Sequence, residues 1–204
     1  MIRFLSQAIK NYHTTGAIAP SSCFLAREMV ASIQQGEQMR ILEVGCGTGV
    51  FTKAILKTLK AGDEFHIVET NETFCVDVES NFLDSFRENN PNVTIQLHNQ
   101  LIQEANIGGE FDAIICGLPF NNFPVELVKD LFQMMLSLLK DGGELAYFEY
   151  LGMRTLKTVF GTPTLRKATE ERTADINARM REFKGSENSV WCNFPPSRVV
   201  RLRK

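Results

Sequence analysis

The chain has 204 residues, of which 44% are hydrophobic and 23% charged, with a formal net charge of −2. This length and composition predict one globular domain and exclude a collagen, a coiled coil or a largely disordered protein. Five cysteines occur without a Cys-x-x-Cys pair or a paired histidine spacing, so we expect no metal site, no disulfide framework and a cytoplasmic location. We find no apolar signal sequence and no uncharged stretch long enough to span a bilayer.

Charge is unevenly distributed along the chain. Residues 1–150 contain 10 Lys/Arg and 19 Asp/Glu, whereas residues 151–204 contain 12 Lys/Arg and 5 Asp/Glu. A basic C-terminal third is typical of proteins that meet an anionic partner, either a nucleic acid or a lipid surface. A solvated helix face explains the same pattern equally well.

Hydrophobic periodicity predicts helices and strands that alternate along the chain. The predicted helices cover residues 1–11, 22–35, 50–59, 73–89, 124–139 and 165–184. The predicted strands cover residues 40–44, 64–69, 93–97, 111–116 and 144–149, followed by a hairpin of strands 189–193 and 198–202. In the helix at 22–35, Ser21 or Ser22 is the expected N-cap. The residues expected to face inward in that helix are Phe24, Leu25, Met29, Val30 and Ile33.

Alternating strands and helices predict right-handed βαβ crossovers. The expected fold is therefore α/β, Rossmann-like and doubly wound, with a mostly parallel seven-stranded sheet that ends in a C-terminal hairpin. We divide the chain into an N-terminal helical extension at residues 1–36 and one domain at residues 37–204.

The first predicted strand runs into the loop Gly45-Cys46-Gly47-Thr48-Gly49, where an open α/β sheet binds its ligand. The spacing departs from the dinucleotide motif G-x-G-x-x-G and lacks the lysine of a phosphate-binding loop. Glu43 precedes the first glycine by two residues, and its carboxylate suits a cationic ligand and repels a pyrophosphate. The pattern E-x-G-x-G-x-G is typical of sites for S-adenosylmethionine, which carries an ammonium and a sulfonium.

The ends of the second and third predicted strands carry further candidates. Glu69 is expected to accept hydrogen bonds from the ribose hydroxyls, and Phe74 or Thr70 is expected to flank the adenine. After the third strand, Asn99 and Gln100 are expected near the adenine, where the Asn99 side-chain oxygen can accept from the amino group.

The fourth predicted strand ends at Cys116 and leads into Gly117-Leu118-Pro119-Phe120. Backbone carbonyls in this turn can hold the N–H groups of an acceptor amine and direct its lone pair at the sulfonium methyl. Pro119 fixes the local backbone, and Phe120 is expected to form an apolar or cation–π wall. A plain proline turn before a helix is the alternative interpretation.

Five segments together resemble the bacterial phospholipid N-methyltransferases, which are class I S-adenosylmethionine-dependent enzymes. The segments are residues 16–26, 43–52, 68–74, 117–124 and 193–197. The usual Gly-Asp-Ala after the third strand is replaced here by Asn99-Gln100-Leu101. The resemblance implies S-adenosylmethionine as cofactor and N-methylation of an amino lipid such as phosphatidylethanolamine, at the inner face of the membrane.

The resemblance also implies a set of site residues. The cofactor-binding set is Ser21, Ser22, Glu43, Gly45, Gly47, Gly49, Glu69, Thr70, Asn71, Asn99, Gln100 and Cys116. The catalytic set is Tyr12, His13, Gly117, Leu118 and Pro119. Because the N-terminal segment of this family folds over the site, Tyr12 and His13 are the first candidates for taking the amine proton, and Tyr147 and Glu149 are the second.

Two other functions are open on the sequence. The related rRNA adenine dimethyltransferases carry an Asn-x-Pro-aromatic turn, and Gly117 here replaces that asparagine, which argues against methylation of a base. A non-catalytic lipid-surface module is the other alternative. As partners we expect an amino lipid and an anionic membrane, contacted through residues 1–11 and the basic C-terminal third, and no nucleic acid.

Overall fold

The structure is a computed structural model that describes residues 21–31, 33, 38–120, 123–151 and 185–204, with positions 167, 169–171, 174, 178 and 181–183 between them. The predicted helix at residues 1–11 and the candidates Tyr12 and His13 lie outside the described residues. The predicted division at residue 36 also stays a prediction.

Seven strands form one sheet in the order β3-β2-β1-β4-β5-β7-β6. They are β1 (Arg40–Val44), β2 (Glu64–Glu69), β3 (Thr94–Asn99), β4 (Phe111–Cys116), β5 (Leu139–Tyr150), β6 (Ser186–Val190) and β7 (Ser197–Arg203). Strands β1 to β5 pair in parallel, and β7 runs antiparallel to both β5 and β6. The predicted doubly wound α/β fold, with a mostly parallel sheet and a terminal hairpin, is confirmed.

The helices flank this sheet. They are α1 (Cys23–Met29), α2 (Val50–Leu56), α3 (Glu72–Val78), a π-helical turn (Glu79–Leu83) that continues directly into α4 (Asp84–Asn89), and α5 (Val125–Ser137). The described positions from 167 to 182 are helical, as the sequence predicts for that region.

The hydrophobic core has two halves because successive strand residues point to opposite faces of the sheet. Leu42 and Val44 of β1 face the half that contains the buried side of α5. Ile41 faces the half that contains the buried residues of α1, α2 and α3. Glu43 lies two residues after Ile41 and therefore points to the same face of the sheet. Its carboxyl group enters the second half of the core, beneath α2.

Several predicted bounds are wrong by a few residues. The third strand continues to Asn99, which pairs with Glu69, so Asn99 belongs to the sheet rather than to the loop after it. Helix α1 ends at Met29 because the following backbone N–H of Ala31 bonds to Glu28 O, which tightens the last turn. The inward position predicted for Phe24 is also wrong, since its side chain is 58% exposed while Ala26 is buried.

Candidate cofactor and acceptor site

The candidate site lies where β1 and β4 end side by side. The chain leaves β1 toward one edge of the sheet and leaves β4 toward the other, which makes this the topological switch point that binds ligands in open α/β sheets. The two following loops are tied to neighbouring strands. Gly45 N donates to Val68 O, and Gly117 N donates to Val44 O, each at 2.8 Å.

Glu69 organises the loop after β1. Its Oε2 accepts from Gly47 N at 3.0 Å, and its Oε1 accepts from the backbone N–H groups of Thr70 and Asn71 at 2.7 and 2.9 Å. The side chain is only 4% exposed. Thr70 Oγ1 and Cys46 Sγ lie at 3.5 and 3.9 Å from the same two oxygens, so Glu69 ties together the loops after β1 and β2.

Gly47 lies opposite this carboxylate with open space beside its backbone. Its φ of +50° belongs to the left-handed region, and no atom of a described residue, apart from its chain neighbours, lies within 4 Å of the position that a Cβ would take. The loop therefore presents bare backbone beside Glu69, which leaves room for a ligand to approach closely.

Glu43 is a carboxyl group placed inside the protein. Its side chain is fully buried, and its Oε2 accepts from Thr52 Oγ1 at 2.8 Å. The other oxygen, Oε1, is buried and has no hydrogen-bond partner among the described residues. The pKa of Glu43 is raised from 4.5 to about 8, mainly by burial, and the neighbouring charge of Glu69 acts in the same direction. A cation beside Glu43 would favour its ionised form.

Cys46 lies between the two carboxyl groups and is not an activated nucleophile. Burial raises the pKa of its thiol, and the charges of Glu43 and Glu69 act in the same direction. The group therefore stays a neutral thiol at physiological pH.

A small cavity brings part of the predicted site together. The predicted site residues that line it are Gly45, Glu69, Thr70, Gln100 and Leu118. Val44, Val68, Leu101, Ile102, Gln103 and Leu131 complete its lining. Its walls come from the ends of β1 and β2, the loop after β3 and the turn after β4, which is the distribution that the sequence predicts.

Other predicted cofactor residues lie outside the lining of this cavity and have local roles. Ser22 Oγ accepts from Leu25 N at 3.2 Å as the N-cap of α1, and Asn71 Oδ1 accepts from Thr73 N at 2.9 Å as the N-cap of α3. The Asn99 side-chain amide donates to Glu69 O at 3.1 Å and joins β3 to the end of β2. Ser21, which is partly exposed, has no role assigned by these contacts.

Cys116 does not offer its side chain to the site. The side chain is fully buried in the core half that contains α5, and burial raises the pKa of its thiol to about 12. Only the backbone of Cys116 reaches the edge of the sheet.

The wall expected from Phe120 is absent. Phe120 is 1% exposed and packs against Phe132 and Tyr147, with ring centroids 4.8 and 5.6 Å apart, because the turn at Pro119 directs the ring into the core. Tyr147 is fully buried in the same cluster, and Glu149 forms an ion pair with Arg198 at 2.8 Å. Within the part of the chain that the structure describes, neither of these second candidates for taking the amine proton lines the cavity at the site.

Close packing between the turn after β4 and the loop after β1 explains why residue 117 is a glycine. A Cβ at this position would overlap the carbonyl oxygen of Gly45 and would lie 3.3 Å from the Phe51 ring. The turn after β4 thus packs directly on the loop after β1, and an asparagine at 117 would not fit without separating the two. Among the described residues, no hydrogen bond to the Gly117 carbonyl oxygen is present.

Thr52 is the site residue that sequence reasoning missed. It lies on the buried face of α2 with Phe51 and Ile55. A hydroxyl on an otherwise apolar helix face is a sequence signal for a buried polar partner. That partner, Glu43, lies nine residues earlier and is brought close only when α2 packs on β1.

These residues fit a nucleotide-like cation. Glu69 supplies a carboxylate, and Glu43, whose Oε1 has no hydrogen-bond partner among the described residues, can ionise when a cation approaches it. The backbone at Gly47 is open on the side of the described residues. Such a site, at the switch point of a sheet of this order, defines a class I methyltransferase that uses S-adenosylmethionine. When bound, the cofactor supplies an electrophilic methyl group on its sulfonium.

Comparisons with known proteins agree with this class. Residues 41–143 match the family described as "Methyltransferase domain", and the chain belongs to that family. An ornithine lipid N-methyltransferase from Singulisphaera acidiphila is 27% identical over 140 residues, which cover 69% of this chain and 72% of that protein.

Solved structures show the same fold. An O-methyltransferase from Bacillus cereus in complex with SAH superposes with a TM-score of 0.62 at 15% identity, covering 99% of this chain and 89% of that one. The O-methyltransferase TomG from Streptomyces achromogenes, in complex with SAM, gives a TM-score of 0.60 at 12% identity, covering 100% of this chain and 89% of its own.

Proposed function

We propose that this S-adenosylmethionine-dependent methyltransferase methylates the amino group of a lipid headgroup. The observation that carries the proposal is the 27% identity to an ornithine lipid N-methyltransferase over more than two thirds of both chains. The substrate class is a lipid with a free amine, and phosphatidylethanolamine and ornithine lipid are the two headgroups to compare.

The described site supports an amine acceptor. The turn after β4 lies against the cofactor loop at Gly45 and carries the Gly117 carbonyl, which is a candidate to accept from an acceptor N–H. Holding an N–H group there would point the nitrogen lone pair along the line of displacement at the methyl carbon. We assign Leu118 and Pro119 to the same turn as positioning residues.

The cofactor residues of the proposal follow from charge and from position at the carboxyl ends of β1 and β2. We assign Glu69 to the ribose hydroxyls and Glu43 to the cationic methionine end. The remaining predicted residues, Thr70, Asn71, Asn99 and Gln100 among them, surround these two on the strand ends and adjoining loops.

The acceptor must arrive without its proton. An alkyl ammonium has a pKa of about 10, so at neutral pH its nitrogen lone pair is blocked by a proton. We assign Tyr12 and His13 as the groups that take the proton. Tyr147 is buried and Glu149 is ion-paired, so we do not assign the proton to either of them.

The proposal places the protein on a membrane surface. Within the described ranges, no helix is both long and apolar enough to cross a bilayer. The basic residues after position 150 supply attraction to anionic lipids, at roughly 1 kcal/mol for each Lys or Arg that reaches the surface.

Methyl transfer from labelled S-adenosylmethionine tests the proposal. Purified protein is incubated in parallel with vesicles containing phosphatidylethanolamine, vesicles containing ornithine lipid, and rRNA, and the products are analysed by mass spectrometry. We expect methylated lipid in at least one vesicle sample and unmodified rRNA. The variant Glu69→Gln should lose most of the activity, whereas Glu72→Gln, an exposed acid at the start of α3, should keep it.

The opposite pattern contradicts the proposal. Label incorporated into rRNA but not into lipid would assign the protein to base methylation despite Gly117. No transfer to any substrate, together with intact vesicle binding, would support a non-catalytic lipid-surface module.

A further inference from the structure

Exposed aromatic side chains concentrate beside one hydrogen bond. Among the described residues, the large hydrophobic side chains that are exposed are Phe24, Val76, Trp191 and Phe194. Ser22 N donates to Asn193 Oδ1 at 2.8 Å, and three of these four side chains lie within two residues of that bond along the chain. Phe24, Trp191 and Phe194 are called the aromatic rim below.

The loop that carries most of the aromatic rim is held rigidly. The Asn193 side-chain amide is buried and donates to Pro195 O at 2.8 Å and to Ser197 Oγ at 3.0 Å. The exposure of Phe194, at 82%, is therefore fixed by an internal hydrogen-bond network. A rigid loop that points large apolar rings into water marks an interaction surface.

The aromatic rim lies on the edge of the sheet that carries the candidate site. Tyr150, the last residue of β5, pairs with Ser197, the first residue of the antiparallel β7. The loop at residues 191–196 therefore lies at the carboxyl end of β5. The cofactor loop and the turn after β4 follow the carboxyl ends of their own parallel strands, so all three share one edge.

The charge pattern around the aromatic rim fits a bilayer interface. Residues 20–26 and 190–197 contain no Asp, Glu, Lys or Arg. The first charged residues beyond them on the C-terminal side are Arg27 and Arg198, and Arg198 is paired with Glu149 and Glu187. Aromatic rings bury favourably at the level of the lipid headgroups, and an uncharged loop enters that region without desolvating a charge.

We propose that the aromatic rim docks the protein onto the lipid bilayer, with the edge that carries the site turned toward the headgroups. This inference rests on the proposed lipid substrate. The aromatic rim would add an apolar contact with the bilayer, and this contact would be largely independent of salt. The basic residues supply a separate electrostatic attraction. Each ring offers about 150–250 Å² of surface, which is enough to change vesicle affinity by about tenfold or more.

Site-directed fluorescence measures the docking. Cys23 and Cys192 are exposed, whereas Cys46, Cys75 and Cys116 are buried. In the variant Cys23→Ser, an environment-sensitive dye is attached to Cys192, and vesicles of phosphatidylethanolamine and phosphatidylglycerol are added at low and high salt. We expect a blue shift and quenching by lipid-borne quenchers at both salt concentrations. A dye that stays in water while the protein floats with the vesicles would overturn the proposal.

Substitution separates docking from catalysis. The double variant Trp191→Ser/Phe194→Ser should lose about tenfold or more of the methyl transfer to vesicles. It should keep wild-type turnover of a short-chain amino lipid dispersed as monomers. The control Val76→Ser removes another exposed apolar side chain, on α3, and should behave as wild type in both assays.

The outcomes distinguish the two proposals. If the wild type methylates neither lipid form but the Cys192 dye enters vesicles, the proposed function fails and the docking surface stands. If wild type and double variant methylate vesicles equally, the docking surface fails and the proposed function stands. A wild-type dimer that dissociates in the double variant, without any change in vesicle binding, would assign the aromatic rim to a second copy of the chain.

Discussion

Thr52 Oγ1 donates a hydrogen bond of 2.8 Å to Glu43 Oε2, and the two side chains are fully buried. The hydroxyl satisfies one oxygen of the carboxyl group and leaves the other facing no described partner. Because burial disfavours the charged form, the pKa of Glu43 rises to about 8. The cofactor loop is therefore built around a carboxyl group that is mainly neutral until a cation approaches.

Glu43 should make stability depend on pH. Its pKa is higher in the folded chain, at about 8, than the ordinary value of 4.5. The group therefore contributes most to the free energy of unfolding below about pH 4.5, and this contribution is lost as pH rises through about 8. In Glu43→Gln the amide oxygen can still accept from Thr52 but carries no charge, so this pH dependence should disappear.

Denaturant unfolding across this pH range measures the effect. At pH 8 and above, Glu43→Gln should be more stable than the wild type, at about 1.4 kcal/mol for each unit of pKa shift removed. Glu72→Gln serves as the exposed control. Parallel pH profiles for the wild type and Glu43→Gln would contradict the buried position of Glu43.

Two glycines of the site should respond differently to alanine. Gly117→Ala places a methyl group against Gly45 O and should destabilise the fold by about 1–3 kcal/mol. Gly47→Ala places its methyl group where no described residue lies within 4 Å, so it should cost only about 1–2 kcal/mol for its positive φ. It should nevertheless weaken cofactor binding, because the methyl group takes up space beside Glu69. Thermal unfolding and cofactor titration of both variants check this. If Gly47→Ala bound the cofactor as tightly as the wild type does, the cofactor would not lie against the Gly47 backbone.

Proton removal from the acceptor is assigned to Tyr12 and His13. If Tyr12 is the base, Tyr12→Phe should lower turnover by about a hundredfold, and if His13 is the base, His13→Ala should do so. Cofactor affinity should be unchanged in both variants. Steady-state kinetics against pH, combined with cofactor titration, separates this loss from a binding defect. Full turnover in both variants would remove the assignment.

Membrane attraction through basic residues predicts a salt effect. Binding to anionic vesicles should weaken as salt rises, because surface charges are screened over about 10 Å at 0.1 M salt. Deletion of residues 1–11 should weaken binding further, since that segment carries Arg3, Lys10 and an apolar stripe. Vesicle flotation measures both effects, with neutral vesicles as the control. Binding that ignores both lipid charge and the deletion would contradict this contribution.

The central strands were predictable from the sequence. The bounds of β1, β2 and β4 agree with the predicted ones, because each is a short apolar run that ends at a glycine loop or a polar residue. The order of the sheet then places Glu43, Glu69 and the turn after β4 at one edge. Chain topology therefore sets much of the candidate site before any side chain is placed.

Side-chain direction was less predictable. Phe120 and Phe24 both occur in apolar patterns, yet one is buried and the other exposed. The difference depends on the turn at Pro119 and on which face of α1 packs inward, and periodicity does not resolve either in such short segments. The π-helical turn at Glu79–Leu83 likewise lies in a pattern that reads as one regular helix.

The most direct test of the central claim is isothermal titration calorimetry of the purified protein with S-adenosylmethionine, NADH and ATP. We expect one binding site for S-adenosylmethionine, an affinity lower by about tenfold or more in Glu69→Gln, and wild-type affinity in Glu72→Gln. No binding of S-adenosylmethionine, with uptake of NADH or ATP instead, would contradict the account.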